Sequence, residues 1–436
     1  MNKLFFFLIL LLFLSNCSLN TKTGIWNKSE EIKNDTPEIK KIFKKTEIHQ
    51  KEFNPNIRIN ILKKTKFKIN SFINNFSNNN GHMNYGGELK KLSKYKFSKI
   101  KQFEFVQPDL LFTKDKSIIF FDNKGNIFKF DSNLNRLWNI NHYRKYEKKL
   151  NPILFFASTD KILIVTDNIS NYYALNIKNG DLLWKKNSPA PFNSQIKIYK
   201  DKFYAVDFDN VLRCFSLKDG KEIWNFNTEK SFIKSQQKLS IIIHENRLIF
   251  INTLGDLSAV NIQNGNLLWQ TPTQNNVLYE EAFLLKNSDL VYSNNSIYFS
   301  NNKNELYSID FKTGIVRWKQ KINSSLRPTI IGDLLLTITN EGFFVIIDAV
   351  TGNIVRMTNI FDRFKNYKSE GIEPTGFIVA KTKVYLSLNN GRLIVINSVD
   401  GKSEDIIKID GDKISRPYVL NKNMYVIRNN AIIKIN

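Results

Sequence analysis

The chain has 436 residues, of which 42% are hydrophobic and 13% aromatic. That is enough apolar material for a large self-supporting core, and with only two Cys a disulfide-stapled scaffold is excluded. Lys and Arg outnumber Asp and Glu by 64 to 40, a formal net charge of +24 that suits anionic partners but is spread along the whole chain.

The first segment, "MNKLFFFLILLLFLSNC", places Lys3 before an apolar run over residues 4–14. The run is too short to span a bilayer and has the length of a signal-peptide core. It ends at Leu14-Ser15-Asn16-Cys17, which resembles a bacterial lipobox. That resemblance implies a signal peptide over residues 1–16 and lipidation of Cys17. With Ser18 and not Asp next in the chain, it also implies delivery to the outer membrane. An ordinary signal peptide with an incidental Cys is the plainer alternative. An exported chain meets little nucleic acid, so the basic charge is read as the mark of a Lys-, Asn-, Ile- and Phe-rich composition. No nucleic-acid partner is expected.

Residues 17–84 are rich in Lys, Asn and Glu and lack clean periodicity. They read as a partly disordered tether with a root-mean-square span of roughly 40–50 Å. Part of it, such as "KFKINSFINNF", is expected to pack against the domain on its C-terminal side.

From residue 85 onward one phrase recurs: apolar strand, polar turn, apolar strand, then a tight turn with Gly and often Trp. Clear copies are "YYALNIKNGDLLW", "LRCFSLKDGKEIW", "LSAVNIQNGNLLW" and "LYSIDFKTGIVRW". Trp184, Trp224, Trp269 and Trp318 each come four positions after a Gly, namely Gly180, Gly220, Gly265 and Gly314. Gly352 and Gly401 continue the series with Arg356 and Asp405 at the Trp position. An earlier copy ends at Trp138 with Leu134 in the Gly position, and the last, "KNMYVIRNNAIIKIN", stops at the chain end. Eight copies at this period predict an all-β, eight-bladed propeller over residues 85–436, each blade a four-stranded antiparallel sheet. The Gly supplies a positive-φ turn, and the Trp is expected to fold over it and pack on the next blade. In "LLLTITNEGFFVIID" the Asn340-Glu341-Gly342 turn predicts a hairpin. The last copy lacks one strand; residues 92–100, "LSKYKFSKI", are expected to supply it and close the ring.

These repeats resemble the PQQ-like β-propeller repeat family, and within it the BamB lipoproteins of the outer-membrane β-barrel assembly machinery. The resemblance covers residues 85–436. It implies a non-catalytic scaffold without cofactor, lipid-anchored on the periplasmic face of the outer membrane and monomeric within its complex. The implied partner is the barrel-forming subunit, bound through its periplasmic POTRA domains. The implied docking loops join central blades, with apolar residues and Arg in one and Asp in the next. Here they are the stretches after Trp224 and Trp269, with Phe232, Ile233 and Lys234 in the first and Asp289 in the second. Phe283, beside Leu284 and Leu285, offers an apolar anchor. The plainer reading of "EEAFLLKNSDLVY" is the outer strand of blade five.

Two other classes stay open: an exported quinoprotein dehydrogenase, which shares the blades, and a propeller scaffold for another envelope complex. The dehydrogenases carry a vicinal Cys–Cys disulfide, which Cys17 and Cys214 cannot form, and a Ca²⁺ site with an Asp base, for which no segment matches. Cys214 reads as a small buried hydrophobe. His49, His82, His142 and His244 show no metal spacing, and His244 reads as structural. Asp219 and Asp400 sit in turns, where they are expected to cap backbone groups.

Overall fold

Most strands here carry apolar residues on both faces, so each sheet must be covered on both sides. In Arg247–Ile251, Leu248 and Phe250 pack toward one neighbouring sheet, and Ile249 and Ile251 toward the other. A ring of sheets meets this demand without leaving an uncovered face. The computed structural model describes residues 17–19, 26–28, 51–52, 75–101, 103, 108–229, 237–273, 285–362 and 371–436.

Eight sheets, each built on four antiparallel strands, form the ring. Blade 1 spans residues 111–140, blade 2 154–187, blade 3 197–227 and blade 4 241–271. Blade 5 spans 291–320, blade 6 329–359 and blade 7 374–408, and blade 8 begins at residue 418. The first strands of blades 2 to 5 touch in succession, so first strands lie innermost. One hydrophobic cluster fills each interface: blades 2 and 3 share one, 3 and 4 the next, and so on to 7 and 8. A larger one joins blades 8, 1 and 2. Outer strands are half exposed, as in Glu222–Asn227.

The predicted closure is present. Lys91–Lys96 pairs antiparallel with Ala431–Ile435 and completes blade 8. The chain end is held there too, with Asn436 exchanging backbone hydrogen bonds with Lys90 at 2.6 and 2.9 Å. The predicted hairpin joins Leu334–Ile338 to Phe343–Asp348. The stretch read as an outer strand of blade 5 instead leads into its innermost one, Val291–Ser293, because the turn after Trp269 has already ended blade 4.

Two blades gain a fifth strand. Lys51–Glu52 pairs with the outer edge of blade 6, and His82–Met83 runs parallel to the inner strand of blade 7. Residues 75–83, counted with the tether by composition, thread along the inner strands. Backbone N–H groups of Ile243 and Tyr292 donate to the carbonyls of Phe76 and Ser77. This strap crosses from blade 3 to blade 7. Residues Met1–His49 form a separate unit, in which Cys17–Leu19 pairs with Trp26–Lys28. Among the described residues the helix is limited to Lys145–Lys149, and no helix is long and apolar enough to cross a membrane.

Candidate functional site

The Trp–Gly series forms the joints between blades. A methyl group on Gly220, Gly265, Gly314 or Gly352 would lie 2.6 Å from the ring of Trp184, Trp224, Trp269 or Trp318, respectively, and each Gly has φ between +67° and +79°. Trp138 packs the same way over Gly180. Four of the indoles also donate to a backbone carbonyl of the next blade: Trp138 to Ile177, Trp184 to Leu217, Trp269 to Phe311 and Trp318 to Ala349, at 3.1–3.3 Å. The Trp224 N–H is buried with no acceptor. After blade 6 the device changes: Arg356 donates to the carbonyl of Val399, and Thr358 packs on Gly401.

Turn carboxylates do what their positions suggest. Asp219 accepts the N–H of Lys221 at 3.2 Å and Asp400 that of Lys402 at 2.9 Å. Cys214 is fully buried, and burial pushes its thiol up to about 12, so it is inert at neutral pH. His244 stacks on Tyr292 with ring centres 4.0 Å apart. His142 faces the Gly180 carbonyl, and burial lowers its affinity for a proton. Among the described residues no group of three His, Cys, Asp or Glu is placed to hold a metal.

The docking residues expected from the loops divide. Phe232, Ile233, Lys234 and Phe283 lie outside the described residues. Asp289 is described, and it sits on the ring axis. Its carboxylate accepts from Gln195 Nε2 at 2.9 Å, from Arg327 Nε at 2.6 Å and from Arg327 Nη2. Arg416 Nη1 is 3.6 Å away. Arg416 also donates to Asp109 at 2.6 Å, as does the Tyr418 hydroxyl at 2.7 Å, and Lys238 pairs with the second Asp109 oxygen. Blades 1, 4 and 8 can meet this way only at the centre of the ring.

Burial alone would raise both carboxyls. The surrounding Arg327, Arg416 and Lys238 outweigh it and hold Asp109 and Asp289 ionised, well below the usual carboxylate range. Below this cluster, Lys197 donates to the Asn75 carbonyl and to Asn78 Oδ1, both at 2.6 Å. Asn78 in turn points its amide at Gln195 Oε1, Ser240 Oγ and the carbonyls of Ile241 and Leu290 at 3.0–3.2 Å.

Sequence reasoning singled out Asp289 but missed its partners. A signal was present in the repeat register. Asp109, Gln195, Asp289, Arg327 and Arg416 each stand two residues before the first strand of their blade. Aligning the copies on their first strands, and not on the Trp, exposes this polar column.

The sequence model of the family described as "Outer membrane protein assembly factor BamB" matches residues 123–358. An outer membrane protein assembly factor BamB of Legionella pneumophila is 26% identical over 210 residues, 46% of this chain and 50% of that protein. The match thus spans about half the length of that relative. An uncharacterized protein of Rickettsia prowazekii is 23% identical over 304 residues, 64% of this chain and 68% of the other. In fold, the crystal structure of BamB from Moraxella catarrhalis superposes with a TM-score of 0.64 at 12% identity, covering 80% of this chain and 99% of that one. A europium-containing methanol dehydrogenase superposes with a TM-score of 0.61 at 10% identity, covering 81% and 88%. At these identities both likenesses concern the fold alone.

Proposed function

We propose, since this chain belongs to the family described as outer membrane protein assembly factor BamB, that it is a non-catalytic scaffold in the assembly of outer-membrane β-barrel proteins. The observation that carries this reading is the family match over residues 123–358, which runs from blade 1 through the outer strand of blade 6. In this reading Cys17 carries lipid on the periplasmic face of the outer membrane. The propeller docks on the POTRA domains of the barrel-forming subunit through the connections after Trp224 and Trp269. Both connections return to the axis, at Lys238 and Asp289.

The axial chemistry favours a scaffold over a quinone-dependent enzyme. Such an enzyme needs a free carboxylate base beside its cofactor. Asp109 and Asp289 are each committed to Arg and Lys partners inside the ring. Cys214 is buried in blade 3 and has no vicinal Cys. Among the described residues this axial set is a poor match for a quinone site, which supports the scaffold reading.

The test is photo-crosslinking in the envelope with the probe at Phe232 or Phe283, and then mass spectrometry of the adduct. The expected adduct is the POTRA-bearing barrel subunit. Adducts only with other envelope proteins would keep the family and fold and move the chain out of barrel assembly.

A further inference from the structure

We propose that a cavity on the ring axis binds the carboxylate of a small amphipathic anion, a short-chain monocarboxylate with an apolar tail. The cavity holds about 90 Å³ and is bounded by the inner strands of blades 1, 2 and 3, the approaches to blades 4 and 8, and the strap. Among the described residues, its charged lining is Lys197, Lys238, Arg416 and Asp109. With Arg327 and Asp289 behind this lining, four basic side chains stand against two carboxylates, and Asp109 already accepts from both Lys238 and Arg416. The opposite lining is apolar, with Leu110, Leu154, Phe156 and Ala157.

Each half selects one half of the ligand. Cations held out of water favour an anion that can accept from them. An apolar wall facing a few convergent polar groups is the usual build of a small-molecule site. The volume limits the tail, since a cavity of about 150 Å³ is filled by benzene; a carboxylate with only a few carbons fits. Lys197 is independently consistent with this. Burial, and next the nearby Arg327, depress it to about 7 against the pull of Asp289 and Asp109, and a bound carboxylate would favour its ammonium form. The site concerns a small molecule and stands apart from partner docking.

Isothermal titration of the full chain with propionate and with propan-1-ol tests this. The expected result is saturable one-site binding of propionate, with propan-1-ol at least tenfold weaker. Lys238→Gln should weaken propionate at least tenfold and leave propan-1-ol unchanged, while Lys238→Arg restores it. The proposal falls if propionate gives no saturable binding, if the two probes bind alike, or if Lys238→Gln has no effect. Where Lys238→Gln fails to fold, the comparison of the two probes on the unaltered chain decides.

Discussion

At the scale of single residues, the repeat is a backbone requirement before it is a side-chain motif. Leu134 shows this: it replaces the turn Gly, yet keeps φ at +67°. The Trp–Gly joints were legible because both partners recur in register. What the sequence could not tell is that the joints differ. Trp269 donates to the Phe311 carbonyl at 3.2 Å, whereas the Trp224 N–H has no acceptor. Trp269→Phe is therefore expected to cost about 1 kcal/mol more than Trp224→Phe, by loss of a hydrogen bond. Paired urea-denaturation curves check this, and equal losses would show the indole bonds to be energetically idle.

At the scale of elements, the strap was legible only at its start, where Phe76 of the stretch expected to pack on the domain does so. Residues 75–83 have no apolar periodicity, and their place is fixed by hydrogen bonds to strands far away in the chain. Asn78 carries most of that burden. It is 1% exposed, has φ +55° and contacts blades 3, 4 and 5. Its one amide group cannot satisfy four acceptors at once, so it is shared among them. Asn78→Ala removes the donor and strains the backbone, with an expected loss of about 2–4 kcal/mol. Asn78→Gly keeps the backbone relaxed and should cost less. Hydrogen exchange reads the local effect: the Ile243 and Tyr292 amides, which the strap covers, should lose protection first. Unchanged exchange there would mean that the strap is held by other contacts. The axial ion pairs were hidden for the same reason, since Asp109 and Arg416 stand at opposite ends of the propeller sequence.

At the scale of the whole molecule, eight blades and their closure were readable because each copy repeats the same strand pattern and the last is one strand short. The closing strand joins residues that precede blade 1 to the strands of blade 8. Ala431, Ile432, Ile433 and Ile435 are fully buried in that closure. Deleting residues 431–436 removes roughly 6 kcal/mol of apolar burial. A fall in Tm of about 10 °C is expected, measured by calorimetry; a Tm within 2 °C of the intact chain, on the order of 1 kcal/mol, would show that the ring does not depend on its clasp. The order of strap and clasp along the chain has a mechanical consequence. A pull arriving from before residue 51 meets the two-residue pairing of Lys51–Glu52 on blade 6 and then the strap, where it is spread across several blades as shear. The closing strand at Lys91–Lys96 lies behind it. The strap thus acts as the strain relief on a cable, taking tension before it can unzip the plug.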